Sequence, residues 1–313
     1  MPSYVYLNAV SSSKQARLLD REILLAMAKA DSFLSAINLL QSTSYSSVIQ
    51  SDNIDEIFNK EQQNLINFIK NECKNAKIVR FFTLFYDYDN IEAVIKSKKI
   101  GYEASGFVEV EGDYSIDQIK FLLKSKDYDG FKNPFVTSLC REVDALKEDA
   151  PPRDLNYIFD KYKFMELASL FDRGVLKTLT DFLLDCENIA TAYRVQKVEE
   201  IDKNIVTFGK ISKDFLIKMA KRDFAIREIE DNNLQEIAEL LFYQKKDDLY
   251  KFEQIKARNI LRILESELYF SNEPINFLYY VYLKTFEIKN LRMIFALQKN
   301  NLANKIKNRL LLK

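Results

Sequence analysis

Apolar residues recur at helical intervals along most of this chain, and the pattern predicts an all-α protein. Leu18, Leu19, Ile23, Leu24, Met27 and Ala28 are spaced by threes and fours, which puts them on one side of a helix beginning at Leu18. Ser115 stands before Ile116, Ile119, Leu122 and Leu123, with Gln118 three positions after it, the signature of a capped helix start. Near the C-terminus, Pro274 follows Ser271 and Asn272, and Ile275, Leu278, Tyr279, Tyr282, Phe286, Asn290, Leu291 and Ile294 then mark one face. A helix of about 25 residues is predicted there, with the proline in its first turn, where no N–H is needed.

The segment 78–86 (IVRFFTLFY) is rich in β-branched and aromatic residues and reads equally as a strand or a helix by periodicity. An internal repeat decides between them. Asp87-x-x-Asn90-Ile91-x-x-x-Ile95-x-x-x-Lys99 returns as Asp185-x-x-Asn188-Ile189-x-x-x-Tyr193-x-x-x-Lys197, and again as Glu287-x-x-Asn290-Leu291-x-x-x-Phe295-x-x-x-Lys299. The asparagines stand 98 and 102 residues apart, so three similar units of about one hundred residues are implied. Comparable apolar stretches, 78–86, 175–184 and 277–283, precede the three motifs, and the third lies in the best helix of the chain. All three are therefore expected to be helical. The run 24–29 (LLAMAK) echoes 216–221 (LIKMAK), so the first and third units share an opening helix. The expected lobes are 1–105, 106–205 and 206–313. Residues 101–112 end the first, with a short extended piece at 107–110, and a polar turn at 202–212 ends the second. Pro151-Pro152 places an interhelical loop at 149–153.

Composition narrows the chemistry. Lys and Arg number 46 and Asp and Glu 46, which removes the basic footprint of a general nucleic-acid binder. Histidine is absent, which eliminates Ser-His-Asp triads, Cys-His dyads and His-containing metal sites. Cys73, Cys140 and Cys186 show no C-x-x-C spacing and read as buried free thiols in a reducing compartment. No signal peptide is expected at the N-terminus. The uncharged run 32–51 has the length of a membrane span, yet its seven serines would be costly in hydrocarbon, so no span is expected.

The motif pairs Asp87/Asn90, Asp185/Asn188 and Glu287/Asn290 each share a helix face. They read first as structural devices that orient helices within each unit, and second as a quasi-symmetric contact surface. Catalysis by carboxylates in three separate lobes is not expected, and neither is a cofactor or metal. Gly209-Lys210-Ile211-Ser212 looks superficially like the end of a phosphate-binding loop. Asn204 and Ile211 stand where that loop requires Gly and Ser or Thr, so the segment reads as a helix start with Ser212 as cap and Asp214 in the first turn. Beyond Glu287 there are seven Lys or Arg and no acid. Lys299, Lys305, Lys307 and Arg309 are candidate interface residues toward acidic protein or lipid headgroups, unless they only complement helix dipoles.

Residues 273–284 (EPINFLYYVYLK), followed by Glu287, Asn290, Leu291, Arg292, Ile294 and Lys299, resemble the C-terminal signature of the C-subunit family of V-type and archaeal A-type rotary ATPases, whose eukaryotic form is known as the d subunit. The opening Tyr6-Leu7-Asn8-Ala9 and the Asp185-Cys186-Glu187-Asn188-Ile189 helix are similar too, while Val10 and Lys96 depart from the family's basic positions. The resemblance implies a funnel-like single body of three pseudo-threefold helical lobes, peripheral to the membrane on the cytoplasmic face. Such a protein would be a non-catalytic central-stalk rotor subunit, with the central-shaft subunits and the proteolipid (c-type) ring as partners, transmitting torque for ATP-coupled proton or sodium transport. The alternative is a soluble helical-repeat scaffold or adaptor that binds protein partners in a groove. An enzyme relying on carboxylates and lysine alone is a distant third.

Overall fold

A computed structural model describes residues 4–47, 49, 53–100, 110–147, 151–195, 205, 208–244, 249–268, 273–300 and 310–311, with side chains at 98–100 excepted. The described residues form thirteen α-helices and no strands. In chain order they are α1 (Val5–Gln15), α2 (Arg21–Ala28), α3 (Phe33–Gln41), α4 (Ile54–Glu72), α5 (Ala76–Ile100), α6 (Ile116–Ser125), α7 (Pro134–Asp144), α8 (Pro152–Ser169), α9 (Gly174–Arg194), α10 (Lys213–Ala220), α11 (Asn232–Ala238), α12 (Leu249–Ser266) and α13 (Ile275–Lys299). The ambiguous 78–86 segment lies inside α5. The extended piece at 107–109, the polar turn at 202–204 and 206–207, Asp149, Ser271, Asn272, Lys305, Lys307 and Arg309 lie outside the described residues.

Short polar side chains set most helix starts. Ser115 Oγ accepts the Gln118 N–H at 3.2 Å, and Ser212 Oγ accepts that of Phe215 at 3.3 Å. Asp20 Oδ1 accepts the Ile23 N–H at 2.8 Å, so α2 begins at Arg21 and not at Leu18 as its apolar spacing suggests. The cap supplies an acceptor for an otherwise orphaned donor, and this outweighs two leucines that merely continue the pattern. Two prolines also shift boundaries by a residue or two. Pro152 and Arg153 belong to the first turn of α8, where a missing N–H costs nothing, and Pro274 stands immediately before α13.

Two compact units result, one made of 1–72 with 246–313 and the other of 73–245. In the first unit, α1, α2, α3, α4 and α12 pack around α13. Helix α13 is buried on nearly every side, as expected of a helix apolar all round. The Phe295 ring sits 5.6 Å from Phe33 and 5.7 Å from Phe58, within a core that includes Leu24, Met27, Leu40 and Leu291. In the second unit, α5 packs on α6 and α8, and α9 packs on α10 and α11. Four and seven residues after the caps Asp20, Ser115 and Ser212, the equivalent residues Leu24, Ile119 and Leu216, and Met27, Leu122 and Met219, are all buried. The repeat is thus one of packing as well as of spelling. The three cysteines are buried thiols, none of them in a disulfide.

Phe295→Ala should lower the stability of the first unit by about 3–5 kcal/mol. Urea unfolding followed by far-ultraviolet circular dichroism will show the loss.

Candidate functional site

Each acid of the repeated motif is buried on a long helix, and each accepts backbone N–H groups just ahead of a short capped helix. On α5, Asp87 Oδ1 accepts Asp113 N–H at 2.8 Å and Tyr114 N–H at 3.2 Å. On α9, Asp185 accepts Lys210 N–H at 2.9 Å and Ile211 N–H at 3.1 Å. On α13, Glu287 Oε2 accepts the Leu19 N–H. Tyr114, Ile211 and Leu19 each immediately precede a cap, Ser115, Ser212 and Asp20 respectively. The long helix therefore holds the entry to the next short helix in the same register three times. In the third case, however, the next short helix is near the start of the chain.

The variation among the three follows from space. A Cβ on Gly112 would lie 2.3 Å from Asp87 Oδ1, and one on Gly209 would lie 1.8 Å from Asp185 Oδ1. Only glycine lets the backbone come close enough for two amides to reach a short aspartate. At the third joint Arg17 occupies the glycine position, the acid is one methylene longer, and a single amide reaches it because Leu18 N–H is bonded to Gln15 O at 3.1 Å.

Each acid has its own electrostatic surroundings. Asp87 contacts Arg80, whose guanidinium also meets Glu166 at 2.5 and 3.1 Å and Asp113 at 3.0 Å. Tyr88 and Asn133 donate to Glu166 at 2.9 and 2.8 Å. Burial opposes the charge of Arg80, but Glu166, Asp87 and Asp113 outweigh it and hold the guanidinium above its usual pKa. Burial pushes Asp87 up to about 6 against the pull of Arg80. Asp185 is pushed up to about 6 by burial, opposed first by the hydrogen bonds from Lys210 and Ile211. Glu287 Oε1 accepts from Tyr45 OH and Lys284 Nζ, each at 2.8 Å. Lys284 Nζ also reaches Glu61 at 2.7 Å and lies 4.3 Å above the Tyr45 ring. Burial, with Glu287 and Glu61 nearby, raises the Tyr45 phenol well above its usual value.

The asparagines extend the same joints. Asn90 Nδ2 donates to Val110 O at 3.0 Å; Asn290 Nδ2 donates to Leu311 O at 2.8 Å and its Oδ1 accepts Leu311 N–H at 2.6 Å. Asn188 is buried, and its Nδ2 has no hydrogen-bond partner among the described residues. The motif therefore joins helix to backbone, where the sequence offered helix orientation first and a quasi-symmetric contact surface second. Of the basic candidates, Lys299 is exposed at the end of α13. Sequence reasoning missed Arg80, Glu166, Lys284, Tyr45 and Glu61 as partners. It also missed the glycine three residues before Ser115 and Ser212, a spacing that was in plain view.

Three buried acid joints of this kind define an all-α protein built by internal repetition, in which the buried motif acids hold helices together. The chain belongs to the ATP synthase (C/AC39) subunit family, whose model matches residues 7–309. It is similar to the C subunit of the V-type sodium ATPase of Enterococcus hirae, with 21% identity across 96% of this chain and 95% of that relative.

Gly209→Ala should cost about 1–3 kcal/mol through the clash with Asp185. The cost should shrink in an Asp185→Ala background, because the two residues form one joint. A double-mutant cycle in urea measures both. The sign of the pH dependence follows from the raised pKa of Asp185. Between the ordinary 3.8 and about 6 the folded chain holds a proton that the unfolded chain has released. The contribution of Asp185 to stability is therefore fullest below the lower value and is lost as pH rises through the upper one. The difference in urea midpoint between the native chain and Asp185→Asn should accordingly change between about pH 4 and 6, with the native chain losing ground as pH rises and little further change above about pH 7.

Proposed function

We propose that this chain is a non-catalytic rotor subunit of a V/A-type ATPase, which joins the central shaft to the proteolipid ring and passes torque between them. The family match over residues 7–309 carries this reading. The relative's name, which places it in a V-type sodium ATPase, supports the assignment to a rotary complex. The mechanical role agrees with the joints. An element that transmits torque has to resist bending where its helices meet, and here the entry to each short helix is tied by a carboxylate to the neighbouring long helix. Hydrogen bonds to charged groups contribute about 1.5–3 kcal/mol each, roughly twice the neutral kind.

In this reading the three lobes, 1–105, 106–205 and 206–313, form a funnel-like body that receives the shaft on one side and rests on the ring on the other. Lys299, Lys305, Lys307 and Arg309 belong to the surface offered to partners. In this reading the protein is peripheral to the membrane and held there through the ATPase complex. Among the described residues no helix is long and apolar enough to cross a membrane.

Affinity-tagged chain, expressed in its native host and recovered from detergent-solubilised membranes, should bring down the ATPase head, shaft and ring, with one copy of itself per complex. Recovery free of every other ATPase component would overturn the proposal.

A further inference from the structure

The three joints differ in one respect that their shared geometry conceals. Asp87 and Asp185 hold amides 26–27 and 25–26 residues further along the chain, so the backbone already ties each pair of elements together. Glu287 holds Leu19 across 268 residues, and no short covalent connection backs that contact. Side chains alone keep the third joint shut.

The structure compensates at this place. Lys284 is only 7% exposed, and it gathers Glu287 from α13, Glu61 from α4 and the Tyr45 hydroxyl. Further contacts line the same helix. Asn8 Nδ2 donates to Glu273 O at 3.0 Å and its Oδ1 accepts from Phe277 N–H at 3.3 Å, while Gln298 Nε2 donates to Met27 O at 2.7 Å at the far end. Leu19 and Glu287 also border a cavity of about 380 Å³, so packed side chains do not back the contact on that side. Leu24 and Met27 of α2 pack against Leu291 and Phe295 of α13, and polar contacts add what covalent continuity supplies at the other joints.

On the reading of the chain as a rotor subunit, we infer that Lys284, Glu287, Tyr45 and Glu61 form a clasp that holds the N-terminal helices on α13, with Lys284 as its positioning residue. Lys284 keeps Glu287 aimed at the Leu19 amide. Without the ammonium, the buried Glu287 and the half-buried Glu61 remain as two carboxylates that repel each other, and Glu287 turns toward the cavity. Helix α2 then loosens while the rest of the chain stays folded.

The test uses the full chain carrying Lys284→Met, alone and assembled in the native membrane complex. In the isolated chain, amide hydrogen exchange at residues 19–28 should speed up roughly 100-fold, with 174–194 unchanged. In the assembled complex, ATP hydrolysis should persist while ions moved per ATP fall about tenfold or more. Glu287→Gln keeps an oxygen for the Leu19 amide and relieves the repulsion, so added to Lys284→Met it should restore most of the protection at 19–28; Glu287→Leu in its place should not. Unchanged exchange at 19–28, or exchange accelerated evenly along the chain, would overturn the clasp. Unaltered ion transport per ATP with loosened α2 would overturn its part in coupling. Absence of the native chain from any ATPase complex sinks the rotor reading, and exchange at 19–28 then still decides the clasp. Should Lys284→Met fail to fold, Tyr45→Phe removes one hydroxyl from the clasp. It should raise exchange at 19–28 by about tenfold, and no change there counts against the inference.

Discussion

A buried carboxylate that must find hydrogen-bond donors is the constraint from which much of this structure follows. Asp87, Asp185 and Glu287 are buried on their helices, so a charge there is costly unless several donors meet it. The donors closest to hand are backbone amides that precede a helix and have no intrahelical partner of their own. Each acid thereby meets its need with groups that have the complementary one. A long helix is joined to the entry of a short one, and the angle between them is fixed by a contact only a few ångströms long. Apolar packing supplies most of the adhesion in both units, but it is non-directional and tolerates sliding. The carboxylates make the helix arrangement specific.

The three joints also show how one geometry is kept with different parts. Aspartate requires glycine opposite it, and two amides then converge on one carboxylate. Glutamate reaches further, tolerates Arg17 at that position, and takes one amide and a lysine. The cation likewise moves, from Arg80 seven residues before Asp87 to Lys284 three residues before Glu287. At Asp185 the main opposition to burial comes from backbone amides and not from a cation. Conserving a joint does not require conserving the residues around it.

Much of this fold can be read from the sequence because its signals are local. The α13 pattern predicts about 25 residues and the helix has 25, and the caps at Ser115 and Ser212 lie where short polar residues precede apolar runs. The repeat turned an ambiguous apolar segment into part of α5 by analogy with α13. Partner choice across long separations was not legible. Arg80 meets Glu166 across 86 residues, and Lys284 meets Glu61 on another helix; many acids lie at similar sequence distances, and only the packed arrangement selects among them. The motif residues were visible as a set, but their use of main-chain donors was not, since an amide has no letter of its own. Gly112 and Gly209 were the one legible trace of it, and they lie in the segments 101–112 and 202–212 that read as boundaries between units.

Glu287's hold on Leu19 has a topological consequence. Asp87 and Asp185 each close a loop of about 26 residues, whereas Glu287 closes one of 268. By the logarithmic growth of loop-closure entropy, shutting that long loop by itself costs about 2 kcal/mol more than shutting either short one.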